Sequence, residues 1–322
     1  MTAVPTTLAD EERTDVADAD TFNALIERLS RQSVTKHFDA YADVAWDAPE
    51  MQINPTDPRW ELTDSDPLGA TDWYRRQPQE TRAEIGLYRI ASNMKVGLQF
   101  ESILKRGLLE FAAKLPNHSP EFRYAYHEVI EESHHALMFQ EFVNRTGLPI
   151  PGMPKLIDIL ARRVVLMGRR FPSMFFVFVL GGEDPIDHVQ RETLRSEREL
   201  HPLLERIMRI HVTEEARHLS FARHYLKRNV PKLGFARRTA VSIQAPITLG
   251  IMAGLMLQPP SHLIRRYGVP RDVVKQAYGT PEVYASVAES LRKVRQLCIE
   301  LRLVTPVTKP IWKALHIWSD ET

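Results

Sequence analysis

Apolar residues recur along this chain with the three-to-four-residue spacing of helix faces, while the strict alternation of half-buried strands is nearly absent. Such stretches run from Phe22 to Val44, Gln79 to Lys114, Leu156 to Arg169, Pro172 to about Glu199, Pro202 to Asn229 and Lys232 to Leu257. Two further helices mark their own starts. Ser119-Pro120-Glu121 and Thr280-Pro281-Glu282 each combine an N-cap hydroxyl, a first-turn proline and an early acid, which suit the unpaired N–H groups of a helix start. The first of these runs to Gly147 and the second to about Leu303, ahead of Pro306. Residues 46–75 carry Pro49, Pro55, Pro58 and Pro67 among several Asp and Thr, a composition that predicts an extended, loop-like wrap. The chain is therefore expected to be all-α, with one helical domain over residues 21–322 behind a frayed N-terminal tail over 1–20.

Charge changes this picture little. Lysine plus arginine number 42 and aspartate plus glutamate 41, so no net field draws the whole molecule to nucleic acid or to an anionic membrane. The single cysteine, Cys298, excludes an intramolecular disulfide, a zinc ribbon or an iron–sulfur cluster built from this chain alone. The N-terminal stretch is acidic, from Asp10-Glu11-Glu12 to Asp20, and lacks the basic start and apolar run of a secretory signal, so a cytoplasmic location is expected. The longest apolar segment, Val241 to Leu257, is interrupted by Gln244 and Pro246 and is short for a bilayer span. Gly250 and Gly254 give it the spacing of a membrane helix contact, but the same pair lets two soluble helices approach. A buried soluble helix is the expectation.

The candidate chemistry lies in a doubled pattern. Glu-x-x-His occurs at Glu132-Ser133-His134-His135 and at Glu215-Ala216-Arg217-His218. Each is preceded on another predicted helix by a glutamate, Glu101 lying 31 residues before Glu132 and Glu183 lying 32 before Glu215. A dinuclear carboxylate site in a four-helix bundle needs one Glu from each of two helices and Glu-x-x-His from each of two others, because i and i+3 side chains leave a helix on one face. Carboxylates bridge two hard cations and each imidazole adds a neutral nitrogen.

Helix faces choose the register. Tyr124, Glu128, Glu132, His135, Phe139 and Phe142 form a largely apolar stripe, whereas His127, Glu131, His134, Met138, Glu141 and Arg145 read as solvated. Glu132 and His135 are thus the ligands, with Glu131 and His134 left to the surface or to a supporting role. On the second motif Leu204, Met208, His211, Glu215, His218, Ala222 and Tyr225 share a stripe from which Glu214 and Arg217 fall away. His211, four residues before Glu215, either adds a third imidazole or is a hydrogen-bonded core histidine. Glu101 lies within Ile90, Met94, Leu98, Leu104 and Leu108, where a lone carboxylate would be costly. Glu183 follows a run of apolar residues and precedes Pro185, which predicts a kink there; Glu192 and Glu197 are its rivals in a polar run. Tyr124, Tyr225 and Phe139 are expected to pack rather than react.

The set Glu101, Glu132-x-x-His135, Glu183, His211-x-x-x-Glu215-x-x-His218 resembles the di-iron arylamine N-oxygenases of the para-aminobenzoate N-oxygenase type, over about residues 80–230. The resemblance implies a ferritin-like four-helix bundle with flanking helices, in which all seven residues are metal ligands and His211 is the additional histidine. It also implies two iron ions, for which manganese is the alternative. The reaction implied uses dioxygen and an external two-electron donor, a reductase or a small reductant. A primary amine, often aromatic and free or carrier-bound, would pass through hydroxylamine and nitroso stages towards a nitro group in natural-product biosynthesis. A homodimer is a further expectation.

Arg295, beside the stripe Val283, Val287, Leu291, Val294 and Cys298, is the candidate for binding a substrate carboxylate, with a snorkelling surface arginine as the alternative. The six-ligand core also serves carbon hydroxylases, desaturases of carrier-bound chains, radical-generating reductase subunits and non-enzymatic iron-binding proteins. His211 argues against the first three, and the short apolar stretches around the site favour an enclosed pocket over the iron-entry channel of the last.

Overall fold

The computed structural model describes residues 8–153 and 155–319, and among these there is no strand. The elements in order are α1 (Leu8–Thr35), the one-turn α2 (Asp72–Arg75), α3 (Gln79–Ala112), α4 (Pro120–Thr146), α5 (Lys155–Arg170), α6 (Pro172–Arg195), α7 (Pro202–Asn229) and α8 (Phe235–Leu257). Shorter helices follow: α9 (Ser261–Arg266), α10 (Arg271–Tyr278), α11 (Pro281–Ser290), α12 (Arg292–Glu300) and α13 (Lys309–Ala314). Helices α3 and α4 pair, as do α6 and α7, and the two pairs face each other through α3–α6 and α4–α7. Around this four-helix bundle, α1 packs on α4 and α7, α5 spans α3 and α6, and α8 lies along α6.

The bundle has two apolar layers with a polar layer between them. One apolar layer holds Phe100, Leu104 and Phe111 of α3, Tyr124 of α4, Phe175 and Phe176 of α6 and Phe221 of α7. The other holds Ala83 to Met94 of α3, Met138, Phe139 and Phe142 of α4, and Leu203 to Ile210 of α7, closed by Trp46 and Trp60. What remains in between is 128–135 of α4 and 211–218 of α7, where buried acids and imidazoles replace hydrocarbon. Apolar packing on both sides fixes the axial position of that layer, since interiors this dense leave little freedom to slide.

Several boundaries depart from the expectations. Helix α1 is assigned from Leu8, within the segment expected as a tail, and residues 1–7 lie outside the described residues. Its far end stops at Thr35 instead of Val44. The chain turns there so that the Phe38 N–H donates to Glu214 Oε1 (3.1 Å) and the Ala40 N–H to His134 Nδ1 (3.1 Å).

Residues 46–75 wrap as turns, two single-turn 3-10 helices (Pro49–Met51 and Pro58–Trp60) and α2. The helix expected from 281 to 303 is broken at Leu291, whose ψ of 5° separates α11 from α12. Helix α4 ends as expected at Gly147, whose φ of 64° is the left-handed conformation that glycine adopts without strain. The segment Phe235–Arg266 is the one stretch among the described residues long and apolar enough to cross a membrane by length and composition. In the fold its Val241, Ala245, Leu249, Met252, Ala253 and Met256 are buried in the same apolar layer as α6.

Candidate metal centre

Glu101 of α3, Glu132 and His135 of α4, Glu183 of α6, and His211, Glu215 and His218 of α7 are all buried, and they converge in the polar layer. His218 Nδ1 lies 2.9 Å from Glu132 Oε1 and 3.0 Å from Glu215 Oε1; His135 Nδ1 lies 3.2 Å from Glu132 Oε2 and 3.4 Å from Glu215 Oε1. Glu132 and Glu215 therefore sit between the two histidines, the position a bridging carboxylate needs. His211 presents the other nitrogen: its Nε2 is 3.8 Å from both Glu101 Oε1 and Glu215 Oε1. Ligand atoms within 4.8 Å of one another group Glu101 with His135 and His211, Glu183 with His211 and Glu215, and Glu132 with His135 and Glu215.

The local sequence explains how each donor is aimed. Glu183 sits just before Pro185, within α6, and next to Gly182, where an added Cβ would lie 2.1 Å from the Phe100 ring. The missing side chain lets Phe100, the neighbour of Glu101, press against α6, so the two single-glutamate helices meet where both carboxylates are needed. On the outer side of Glu183, Asp184 pairs with Arg223. Asp187 holds Arg191 at 2.7 Å, and that guanidinium also donates to the Val212 carbonyl (2.8 Å), tying α6 to α7 beside His211.

The supporting shell corrects the reading of two residues. Glu131 and Glu214, assigned to the solvated or off-stripe faces, are buried at 2% and 0% exposure. Glu131 Oε2 accepts from His218 Nε2 (2.7 Å), and Glu214 Oε2 accepts from His135 Nε2 (2.9 Å). One guanidinium, that of Arg217, donates to both, at 2.7 Å to Glu131 and 3.4 Å to Glu214. Each motif thus supplies the acid that orients the other motif's imidazole, leaving Nδ1 directed at the carboxylate pair. The doubled acids, Glu131-Glu132 and Glu214-Glu215, were the available signal; reading the bundle face as a single stripe obscured it, because bundle helices flanked on several sides bury more than one. Met138, on the stripe expected to be solvated, is likewise fully buried, whereas His134 keeps 21% side-chain exposure. Gln190 of α6, unnoticed in the sequence, accepts through its Oε1 from His211 Nδ1 at 2.9 Å and turns Nε2 inward.

Other assignments follow from burial. Glu192 is well exposed, at 60% of its side chain, whereas Glu183 is buried and groups with His211 and Glu215. Tyr124 packs on Phe221 (4.6 Å between centroids) and Tyr225 on Phe176 (4.5 Å), as packing residues do. Arg295 is not a surface group: it is fully buried on α12, and its Nη1 donates to the carbonyls of Ala288 (2.5 Å) and Ile317 (3.3 Å). Among the described residues no hydrogen bond or ion pair joins it to the seven.

Electrostatics favour cations. Burial pushes Glu101 and Glu183 well above the usual carboxylate range, and the neighbouring carboxylates add to it. Burial alone would lower His135, but hydrogen bonds to Glu132 and Glu214 lift it to about 10. Burial likewise opposes a proton on His218, and the charges of Glu215 and Glu132 outweigh it and raise that imidazole well above normal. His211 moves the other way, held neutral by burial and by the charge of His135. Burial also opposes the charge on Glu131, yet His218 and Arg217 bring it down to about 2. One oxygen each of Glu101, Glu183 and Glu215, and both of Glu128, have no hydrogen-bond partner despite full burial. An unpaired buried carboxylate costs several kcal/mol, so a cluster of this kind is stable when protons or hard cations neutralise it. Four carboxylates and three imidazoles at these distances fit two such cations.

An all-α bundle with this layer carries the donor set of the carboxylate-bridged dinuclear metalloproteins. Residues 19–302 match the family described as P-aminobenzoate N-oxygenase AurF, and the chain belongs to that family, whose members are ferritin-like di-iron N-oxygenases. It is also 40% identical over 304 residues, 94% of this chain and 89% of theirs, to uncharacterized proteins of Mycobacterium bovis (strain ATCC BAA-935 / AF2122/97) and Mycobacterium tuberculosis (strain ATCC 25618 / H37Rv). No solved structure is a significant match.

Proposed function

We propose that this protein is a di-iron, dioxygen-dependent N-oxygenase that converts a primary aryl amine, through hydroxylamine and nitroso stages, towards a nitro compound. The observation that carries this reading is His211. Its Nε2 faces Glu101 and Glu215, and its Nδ1 is held by Gln190, which supports a third imidazole beside the doubled Glu-x-x-His set, as the resemblance implies. Bound iron would supply the reduction and cleavage of dioxygen. In the first stage one oxygen atom enters the N–H bond and the other leaves as water, with two electrons from an external donor and two protons.

The chain's own residues do the rest. Glu132 and Glu215 lie between the two Nδ1 atoms and would bridge; Glu101, His135, Glu183, His211 and His218 would complete the coordination. Glu131, Glu214 and Arg217 keep the imidazoles oriented through hydrogen bonds of 2.7–3.4 Å. The apolar layers above and below exclude bulk water, and the Phe139 ring, 5.3 Å from the His211 ring, walls one side. Location in the cytoplasm, a reductase or small reductant as partner, and a role in natural-product biosynthesis belong to the same proposal.

The test is a single turnover: the iron-loaded, chemically reduced protein is mixed with isotopically labelled dioxygen and para-aminobenzoate or related aryl amines. Labelled hydroxylamine, nitroso or nitro product is expected, and His211→Phe should suppress it while the bundle stays folded. Oxidation of the iron with no labelled product from any amine, or labelled carbon hydroxylation instead, would overturn the N-oxygenase reading.

A further inference from the structure

Glu128 of α4 is fully buried, and it is the one carboxyl among the described residues with both oxygens buried and without a hydrogen-bond partner. The other acids of this layer outside the seven are engaged: Glu131 by His218 and Arg217, Glu214 by His135, Arg217 and the Phe38 N–H. Glu128 is not remote from the centre. One of its oxygens lies within 4.8 Å of a Glu132 oxygen and of a His218 nitrogen, and those two atoms lie within the same distance of each other.

The position has a counterpart. Residues of α4 and α7 pair as Tyr124 with Phe221, Glu131 with His218, His135 with Glu214 and Phe139 with His211, climbing one helix while descending the other. The two helices are therefore antiparallel and related by a local two-fold axis between them. That relation exchanges Glu132 with Glu215, His135 with His218 and Glu131 with Glu214. It also exchanges His211, four residues before Glu215, with Glu128, four residues before Glu132. The His211 ring packs at a tilt against that of His135 (4.7 Å between centroids); an oxygen of Glu128 lies within 4.8 Å of a His218 nitrogen in the corresponding place. One position of the pair holds an imidazole and the other a carboxylate.

We propose that Glu128 is an eighth donor of the dinuclear centre, supplying a carboxylate to the metal on the His218 side. The proposal rests on the dinuclear reading above and adds to it. It makes the two metal positions chemically unequal, with the additional neutral nitrogen at one end of the cluster and an additional anionic oxygen at the other. A carboxylate can bind a hard cation through one or both oxygens, so this donor can adjust as the charge at the pair changes.

The experiment titrates full-length, metal-free protein with Mn(II), following free and bound ion by equilibrium dialysis and electron paramagnetic resonance, for wild type, Glu128→Gln and Glu128→Asp. Wild type should bind two ions. Glu128→Gln, nearly the same shape without the charge, should weaken one of the two by roughly tenfold or more and change the coupled two-manganese spectrum. Glu128→Asp, which keeps a shorter carboxylate, should fall between. Two ions bound by both variants with wild-type affinities and spectrum would overturn the proposal and leave the dinuclear reading intact. Fewer than two ions in wild type would instead overturn the dinuclear reading and this proposal with it. Circular dichroism of the metal-free variants confirms that they fold; if Glu128→Gln does not, wild-type affinities in Glu128→Asp still overturn the assignment.

Discussion

His134 and His135 are neighbours in the chain and lie about 100° apart around the helix, and the structure gives them opposite tasks. His135 is enclosed by Glu132, Glu214 and Glu215; His134 accepts the Ala40 N–H at the rim. His135→Ala should lower metal affinity by roughly tenfold or more, whereas His134→Ala should leave metal content unchanged and cost about 0.5–1.5 kcal/mol of stability. Metal analysis beside thermal unfolding decides it, and the reverse ranking would move the ligands one residue. Protonation gives a second expectation. His135 and His218 hold protons more tightly than normal, as do Glu101 and Glu183, and each must release its proton to bind a cation. Raised values mean that falling pH favours the protonated, metal-free form. Mn(II) affinity should therefore drop between about pH 8 and about pH 6, and calorimetry in buffers of different ionisation enthalpy should show protons released on binding. Affinity independent of pH would contradict this assignment of protons.

At the level of helices, what could be read in the sequence was what depends on one helix alone. The helix starts after Ser119 and Thr280 and the shared faces of Glu132 with His135 and Glu215 with His218 are local and appear where expected, with Thr280 accepting from the Val283 N–H; the Ser119 hydroxyl instead donates to Glu121, and Pro185 lies within the unbroken α6. What depends on a second helix was not legible. From its own helix Glu131 falls to the surface or to a supporting role and Glu214 falls off the main stripe, because neither face shows that each reaches the histidine of the opposite motif. Glu128 was placed in the core but given no task, since its counterpart His211 is a different residue type. The early end of α1 at Thr35 likewise reflects distant partners, Glu214 and His134. Contact between α3 and α6 gives a test at this scale. Gly182→Ala would drive a methyl into the Phe100 ring, and overpacking of this kind costs about 1–3 kcal/mol. Thermal unfolding should register that loss, with weaker metal binding because Glu183 is displaced. An unaffected melting temperature would mean that this contact does not set the α3–α6 approach.

Across the whole molecule, two apolar layers enclose one layer of acids and imidazoles, and the flanking helices α1, α5 and α8 cover the bundle's outer faces. Hydrocarbon packing supplies the stability that lets so many carboxylates remain buried together, and bound cations would complete the neutralisation. The proposal is thus a geometric one: two metals would lie between α3–α4 and α6–α7, held by Glu132 and Glu215 among the seven donors. Anomalous diffraction from crystals of the iron-loaded protein tests it most directly. Two iron peaks per chain, both within coordination distance of Glu132 and Glu215, are the expected result; a single peak, or iron bound away from these two carboxylates, would contradict the account.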